Sequence, residues 1–212
     1  MTIQTNIKIV QYPDLMPYQE TWQAMQTFTE QRTRETRDQI WILQHSPVYT
    51  LGLATKPEHI LKINEIPIVQ TDRGGQITYH GIGQLIFYIL MDLSRKHFTV
   101  RTLVSTLEES VILFLKELGI VAQRKEKAPG IYIQEKKIAS LGLKIRKNCT
   151  YHGLSLNVDL DLTPFEAINP CGYAGLKMTS LKKEGILLNI NEVSQRFLPI
   201  LLNQLGYSNE ER

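Results

Sequence analysis

A chain of 212 residues, 42% of them hydrophobic, can bury one sizeable core but not two full ones, so residues 1–212 are read as a single domain. The formal charge of +3 is spread along the chain rather than gathered in a block, which argues against nucleic-acid binding and suits acidic protein partners. With only two cysteines, Cys149 and Cys171, a disulfide framework and a four-cysteine metal site are excluded, and a reducing compartment is expected.

Residues 1–6 run into an apolar alternation with no secretory or arginine-rich leader, and no stretch approaches the roughly twenty apolar residues of a membrane span. A cytoplasmic protein without a membrane partner is expected. Residues 7–10 alternate as a short strand, which Pro13 and Pro17 break before an amphipathic helix carrying Tyr18, Trp22 and Met25. Residues 40–43 read as a buried strand, and residues 44–52 as a turn into another extended piece with Pro47 at a bend. A strand at 66–70 leads into a glycine-rich loop at 72–84, and the continuously apolar 85–90 fits a strand covered on both faces.

Leu103, Leu107, Val111, Phe114 and Leu118 fall on one face of a long helix. Strands are predicted at 130–133, 138–145 and 155–161, the first two joined by a polar hairpin at 134–137. A last helix runs from an Asn191 cap to Leu205, with Pro199 predicting a kink or a later start. Short strands mixed with a few helices imply an α+β (mixed α/β) domain, its sheet mixed but largely antiparallel and flanked by helices.

One cysteine is placed unlike a core residue. In Asn169-Pro170-Cys171-Gly172, a proline and a glycine flank the thiol and forbid a regular helix or central strand, so Cys171 sits on a tight loop that another molecule can approach. An ordinary thiol, with a pKa near ~8.5, is only a few per cent thiolate at neutral pH and needs a histidine or lysine partner to serve as a nucleophile. Cys149 and His152, three apart, invite a zinc or a dyad reading. Zinc lacks two further ligands, and in an extended segment the two side chains point apart, so Cys149 is read as structural and His152, followed by Gly153, as a neighbour of the site. The loop at 73–84 lacks the third glycine of the dinucleotide fingerprint and the Gly-Lys-Ser/Thr of a phosphate loop. By local sequence Lys137 is a solvated hairpin lysine like Lys136.

Taken in order, Arg73-Gly74-Gly75-Gln76-Ile77-Thr78-Tyr79-His80-Gly81, Lys137-Ile138-Ala139-Ser140-Leu141-Gly142 and Asn169-Pro170-Cys171-Gly172 closely resemble the lipoyl(octanoyl) transferase family. The likeness runs from about His45 to Leu181 and departs at Ile82, where the family usually has proline, a change expected to loosen the loop. What the resemblance implies is the fold of biotin and lipoate protein ligases and an octanoyl transfer from acyl carrier protein to a lysine of lipoyl domains or of the glycine cleavage H protein. By motif, Cys171 corresponds to the acyl-carrying nucleophile and Lys137 to its partner. Substrate-binding stretches correspond to Arg73, Gly74, Gly75, Gln76, Ile77, Thr78, Tyr79 and His80, to Ser140, Leu141 and Gly142, and to Gly153, Leu154 and Ser155. Tyr79 and His80 are expected at the rim of an acyl slot, and backbone N–H groups near Leu141-Gly142 or Gly172 as oxyanion donors. No metal and no ATP are implied.

Overall fold

Alternation along the strands decides which side of the sheet each residue covers. The computed structural model describes residues 7–126 and 128–207, so the leader reading of residues 1–6 lies outside it. In chain order the strands are β1 (Lys8–Met16), β2 (Gln39–His45), β3 (Val48–Leu51), β4 (Ile68–Gln70), β5 (Thr78–His80), β6 (Gln84–Leu90), β7 (Gln123–Arg124), β8 (Ile131–Ile133), β9 (Lys136–Arg146) and β10 (Cys149–Asn157). The helices are α1 (Tyr18–Gln31), α2 (Val100–Glu117) and α3 (Ile190–Gln204). A seven-stranded sheet runs β1-β2-β6-β10-β9-β8-β7, antiparallel except for the β1–β2 pair, and a three-stranded sheet runs β4-β3-β5.

On β6, Leu85, Phe87 and Ile89 face α2 and α3, packing with Leu107, Phe114 and Phe197, while Ile86, Tyr88 and Leu90 face α1 with Met25 and Trp41. Both faces are covered, which is why that strand reads as an unbroken apolar run. A second cluster, with Tyr49, Ile77, Tyr79 and Phe165, fills the small sheet and the turn at Thr163–Ala167. The mixed, largely antiparallel sheet flanked by helices is thus the architecture present.

Three sequence readings are corrected. β1 does not stop at Pro13 but runs to Met16, because it is an edge strand whose register shifts between Gln11 and Leu15, and a missing N–H is harmless at such a bulge. The strand expected from 155 begins at Cys149 and ends at Asn157; beyond it the N–H groups of Val158 and Asp159 both donate to the Gly83 carbonyl. The third helix starts at Ile190, capped by Asn189 rather than Asn191. Asn189 Oδ1 accepts from the Glu192 N–H and Glu192 accepts in return, and the helix passes through Pro199. Ile82 is 58% exposed, on a turn closed by the Gln84 N–H donating to the Gly81 carbonyl at 3.1 Å.

Candidate active site

β9 opens with two lysines that the strand pleat sends to opposite sides. Lys136 reaches the Glu184 carboxylate at 2.6 Å, while Lys137 is 0% exposed. The hairpin turn is Gln134 and Glu135, so Lys137 belongs to the strand, and the solvated reading of it fails. Its N–H donates to the Lys177 carbonyl and its carbonyl accepts from the Thr179 N–H, both at 2.9 Å, which lays residues 177–179 alongside the strand. Lys137 Nζ donates to the Pro129 carbonyl at 2.9 Å and to Cys171 Sγ at 3.0 Å, with the Tyr132 ring centre 5.1 Å away. Burial works against the ammonium charge, but Cys171 and Tyr132 more than offset it, and the Lys137 pKa is raised.

Cys171 occupies the turn Pro170–Gly172 with φ of 55°, a left-handed conformation uncommon for a residue with a side chain. The turn is pinned by the Cys171 N–H donating to the Ile77 carbonyl and the Gly172 N–H donating to the Asn169 carbonyl, each at 3.0 Å. Gly172 has φ of 78°, and a Cβ there would lie 2.1 Å from the Gln76 amide, so glycine alone lets Gln76 rest against the turn. Both N–H groups of the turn are committed, which removes Gly172 as an oxyanion donor.

Cys171 opens onto a cavity of about 250 Å³. From the glycine-rich loop it is lined by Arg73, Gly75, Gln76, Thr78 and His80, and from β9 and β10 by Ser140, Leu141, Gly142, Gly153, Leu154 and Ser155. Gly74, Ile77 and Tyr79 do not line it. The pleat of β5 sends Thr78 and His80 inward and Tyr79 the other way, against Tyr49 and Phe165, so Tyr79 is not at a rim; His80 is buried rather than at one. The Gly74 N–H donates to the Leu143 carbonyl at 2.9 Å, and the Ile77 carbonyl holds Cys171, so these two fix the loop. Arg73 is buried and donates to the Thr50 hydroxyl and carbonyl; among the described residues no carboxylate lies within ion-pair distance, and its charge faces the cavity. Burial lowers the Arg73 pKa, yet a guanidinium stays protonated.

Sequence periodicity missed Tyr18, Tyr88 and Pro129 as wall residues. The first two look like core positions of a helix and a strand, and no period separates a cavity wall from core. Pro129 carried a signal, the Pro-Gly dipeptide just ahead of β8.

His152 lies in β10 with φ of 60°, and its side chain reaches the cavity wall. Its Nε2–H donates to Asp72 Oδ1 at 3.3 Å, leaving the Nδ1 lone pair buried and without a protein partner. Asp72 also accepts from Trp22 Nε1 at 2.9 Å and from the Tyr151 hydroxyl, tying the glycine-rich loop to α1 and β10. Burial opposes the Asp72 charge, but these donors prevail and hold the carboxyl well below the usual carboxylate range. Cys149 is buried, with its thiol pKa pushed up by burial, and among the described residues no three His, Cys, Asp or Glu side chains gather as a metal set.

Two further histidines are buried beside the cavity. His45 donates from Nδ1 to the Met16 carbonyl at 2.8 Å and accepts from the Tyr88 hydroxyl at 2.7 Å; His80 donates from Nδ1 to Gln84 Oε1 at 2.7 Å. Burial lowers the pKa of His45 to about 4, carries that of His80 well below its ordinary value, and lowers that of His152 despite Asp72. Each folded imidazole therefore binds a proton less readily than the unfolded one, so its stabilisation is complete above pH ~6.5 and is lost as pH falls, for His45 down to about 4. Each imidazole adds up to about 1.4 kcal/mol per pH unit to that slope. Urea unfolding is expected to show a lower midpoint at pH 5 than at pH 7.5; equal midpoints would mean that the imidazoles are charged in the folded chain.

Residues 17–201 match the family model described as the lipoyl protein ligase A/B catalytic domain. The octanoyltransferase of Dechloromonas aromatica is 58% identical over 192 residues, 91% of this chain and 94% of that one. The octanoyltransferase of Chromobacterium violaceum is 53% identical over 203 residues, 96% of this chain and 98% of the relative. Among solved structures, a lipoate-protein ligase A bound with ATP superposes with a TM-score of 0.75 at 16% identity, over 98% of this chain and 87% of the other. The bi-partite lipoate protein ligase of Thermoplasma acidophilum gives 0.73 at 18% identity, over 98% and 86%. These structural likenesses concern the fold.

Proposed function

We propose, for a chain that belongs to the lipoyl protein ligase A/B catalytic domain family and is an octanoyltransferase, that the octanoyl group travels through a thioester on Cys171. The observation that supports this most is the 3.0 Å contact between Lys137 Nζ and Cys171 Sγ on the wall of the cavity. The buried ammonium stands where it would balance a charge on that sulfur, and the thiolate is the form that attacks.

Cys171 Sγ attacks the carbonyl carbon of an octanoyl thioester on acyl carrier protein. The tetrahedral anion forms beside the buried Arg73 charge, with Leu141 and Gly142 backbone at hand. As it collapses, the bond from carbon to the pantetheine sulfur breaks and Lys137 gives that sulfur a proton. What remains is octanoyl-Cys171 and a neutral Lys137 amine. The lysine of a lipoyl domain, or of the glycine cleavage H protein, then attacks the same carbon. Lys137 takes the proton that the incoming amine sheds, an amide forms, and the Cys171 thiolate departs beside a restored ammonium.

Thioester to thioester is nearly balanced and thioester to amide runs downhill, so the sequence consumes no nucleotide. Ile86, Leu141 and Leu154 offer the acyl chain apolar wall, each buried methylene contributing ~0.8 kcal/mol. The cytoplasm is the proposed setting, since both thiols are free and the mechanism needs one of them reduced; no helix among the described residues is long and apolar enough to cross a membrane.

Mixing the protein with octanoyl-acyl carrier protein, without ATP, is expected to give an intact mass heavier by one octanoyl group, on the peptide containing Cys171. Adding an apo lipoyl domain should discharge it. Transfer that requires ATP and shows no adduct would replace this reading with an adenylating ligase.

A further inference from the structure

The dyad lysine is itself aimed by a peptide bond, and that bond is held from outside the cavity. Lys137 Nζ donates to the Pro129 carbonyl at 2.9 Å, while the N–H of the same peptide unit, on Gly130, donates to Glu108 Oε1 at 3.0 Å. No peptide in the described chain is cis, so this carbonyl and this N–H point in opposite directions, one toward Lys137 and the other toward α2. Glu108 sits on the third turn of α2, buried among apolar neighbours such as Leu107 and Val111, and its other oxygen accepts from Arg124 Nε at 3.1 Å.

A buried carboxylate on the core-facing side of a helix requires a reason, since burying it unpaired is strongly unfavourable. Arg124 supplies part of one but is 41% exposed and also bonded to Glu109, so the outer ion pair is a weak tie. The charged hydrogen bond to the Gly130 N–H is the buried one. Gly130 has φ of 126°, and a Cβ there would come within 2.6 Å of the Ala139 carbonyl and 3.0 Å of Lys137 Cε, so only glycine lets the peptide lie flat against the lysine. Turning the peptide over would set an N–H against the ammonium in place of a carbonyl.

We propose that Glu108 is a positioning residue for octanoyl transfer: through the Gly130 N–H it fixes and polarises the Pro129–Gly130 peptide, whose carbonyl orients the Lys137 ammonium toward Cys171. The carboxylate makes the carbonyl a stronger acceptor, as hydrogen-bonded dipoles do in a chain, and it never touches substrate. This rests on the Lys137–Cys171 reading above.

Single-turnover acylation of Cys171 by octanoyl-acyl carrier protein, followed by intact mass across pH 6 to 9, tests both. Glu108→Leu is expected to acylate about tenfold more slowly near pH 7, the factor attached to losing one hydrogen bond to a charged group, with its rate profile displaced to higher pH. Glu108→Gln, whose amide oxygen still accepts from Gly130, should recover most of the rate. Arg124→Gln should stay close to wild type. Glu108→Asp keeps the charge but falls one methylene short of Gly130; the same loss is expected of it, and it decides the matter where the leucine variant does not fold. Wild-type rates and profile in Glu108→Asp, or an Arg124→Gln loss equal to that of Glu108→Leu, would overturn the proposal. Lys137→Met is run alongside: a slow Lys137→Met with unaffected Glu108 variants removes the peptide relay alone, whereas an unaffected Lys137→Met removes the dyad.

Discussion

A Cys171→Ala protein is expected to fold, to keep its cavity, and to transfer no octanoyl group. Without Sγ the proposed covalent intermediate has no site, and the incoming amine would need to meet a carrier-bound thioester directly. The loss is expected to be on the order of 10⁴-fold or more, as for other covalent nucleophiles acting with a partner. Cys149 cannot substitute, because it is buried, its pKa is raised by burial, and it sits at the start of β10 across an isolated bridge from Asp92, away from the β10 residues that line the cavity. The check is intact mass after incubation with octanoyl-acyl carrier protein, together with amide formation on an apo lipoyl domain. Appreciable transfer by the alanine variant would show that the thioester is not on the path.

Lys137→Met should cost about 10² to 10⁴ in rate, the range attached to a positioned proton donor and acceptor, and should do so in both halves of the reaction. Methionine nearly matches the length of the lysine stem and leaves no charge in a position that is 0% exposed. Folding stability should therefore hold or rise while activity collapses, since a buried charge carries a desolvation penalty that an apolar side chain does not. The orphaned Pro129 carbonyl moderates that gain. Acylation and discharge are measured separately, the second on octanoylated protein given a lipoyl domain. A variant slow only in acylation would leave the amine-deprotonating role to another group.

What could be read from the chain beforehand depended on whether the signal was periodic. β6 announced itself as an apolar run because both its faces meet helices, and α2 did so because Leu103, Leu107, Val111 and Phe114 share one side. Pro13 misled, since proline breaks an interior strand but not an edge strand at a bulge. Within the glycine-rich loop, the family likeness treated residues 73–80 as one binding stretch, and only the pleat of β5 sorts Thr78 and His80 from Tyr79. Lys137 shows the limit most plainly: its neighbour Lys136 is the same residue in the same hairpin, and what separates them is one step of strand alternation and a partner brought in from 34 positions away. Asp72 and Glu108 were invisible for a related reason, because a carboxylate's worth depends on donors that other elements deliver.

The backbone pairing of Lys137 with residues 177–179 bears on how the chain matures. Local contacts such as those within α2 form early in folding, and pairings distant in sequence form later. The amine meets the thiol only once β9 and the cysteine turn are laid side by side, after the sheet has closed. If Cys171 carries the acyl group as proposed, a nascent or half-folded chain would hold that thiol without its lysine, and octanoyl uptake during refolding should keep time with completion of the sheet rather than with the gain of helix.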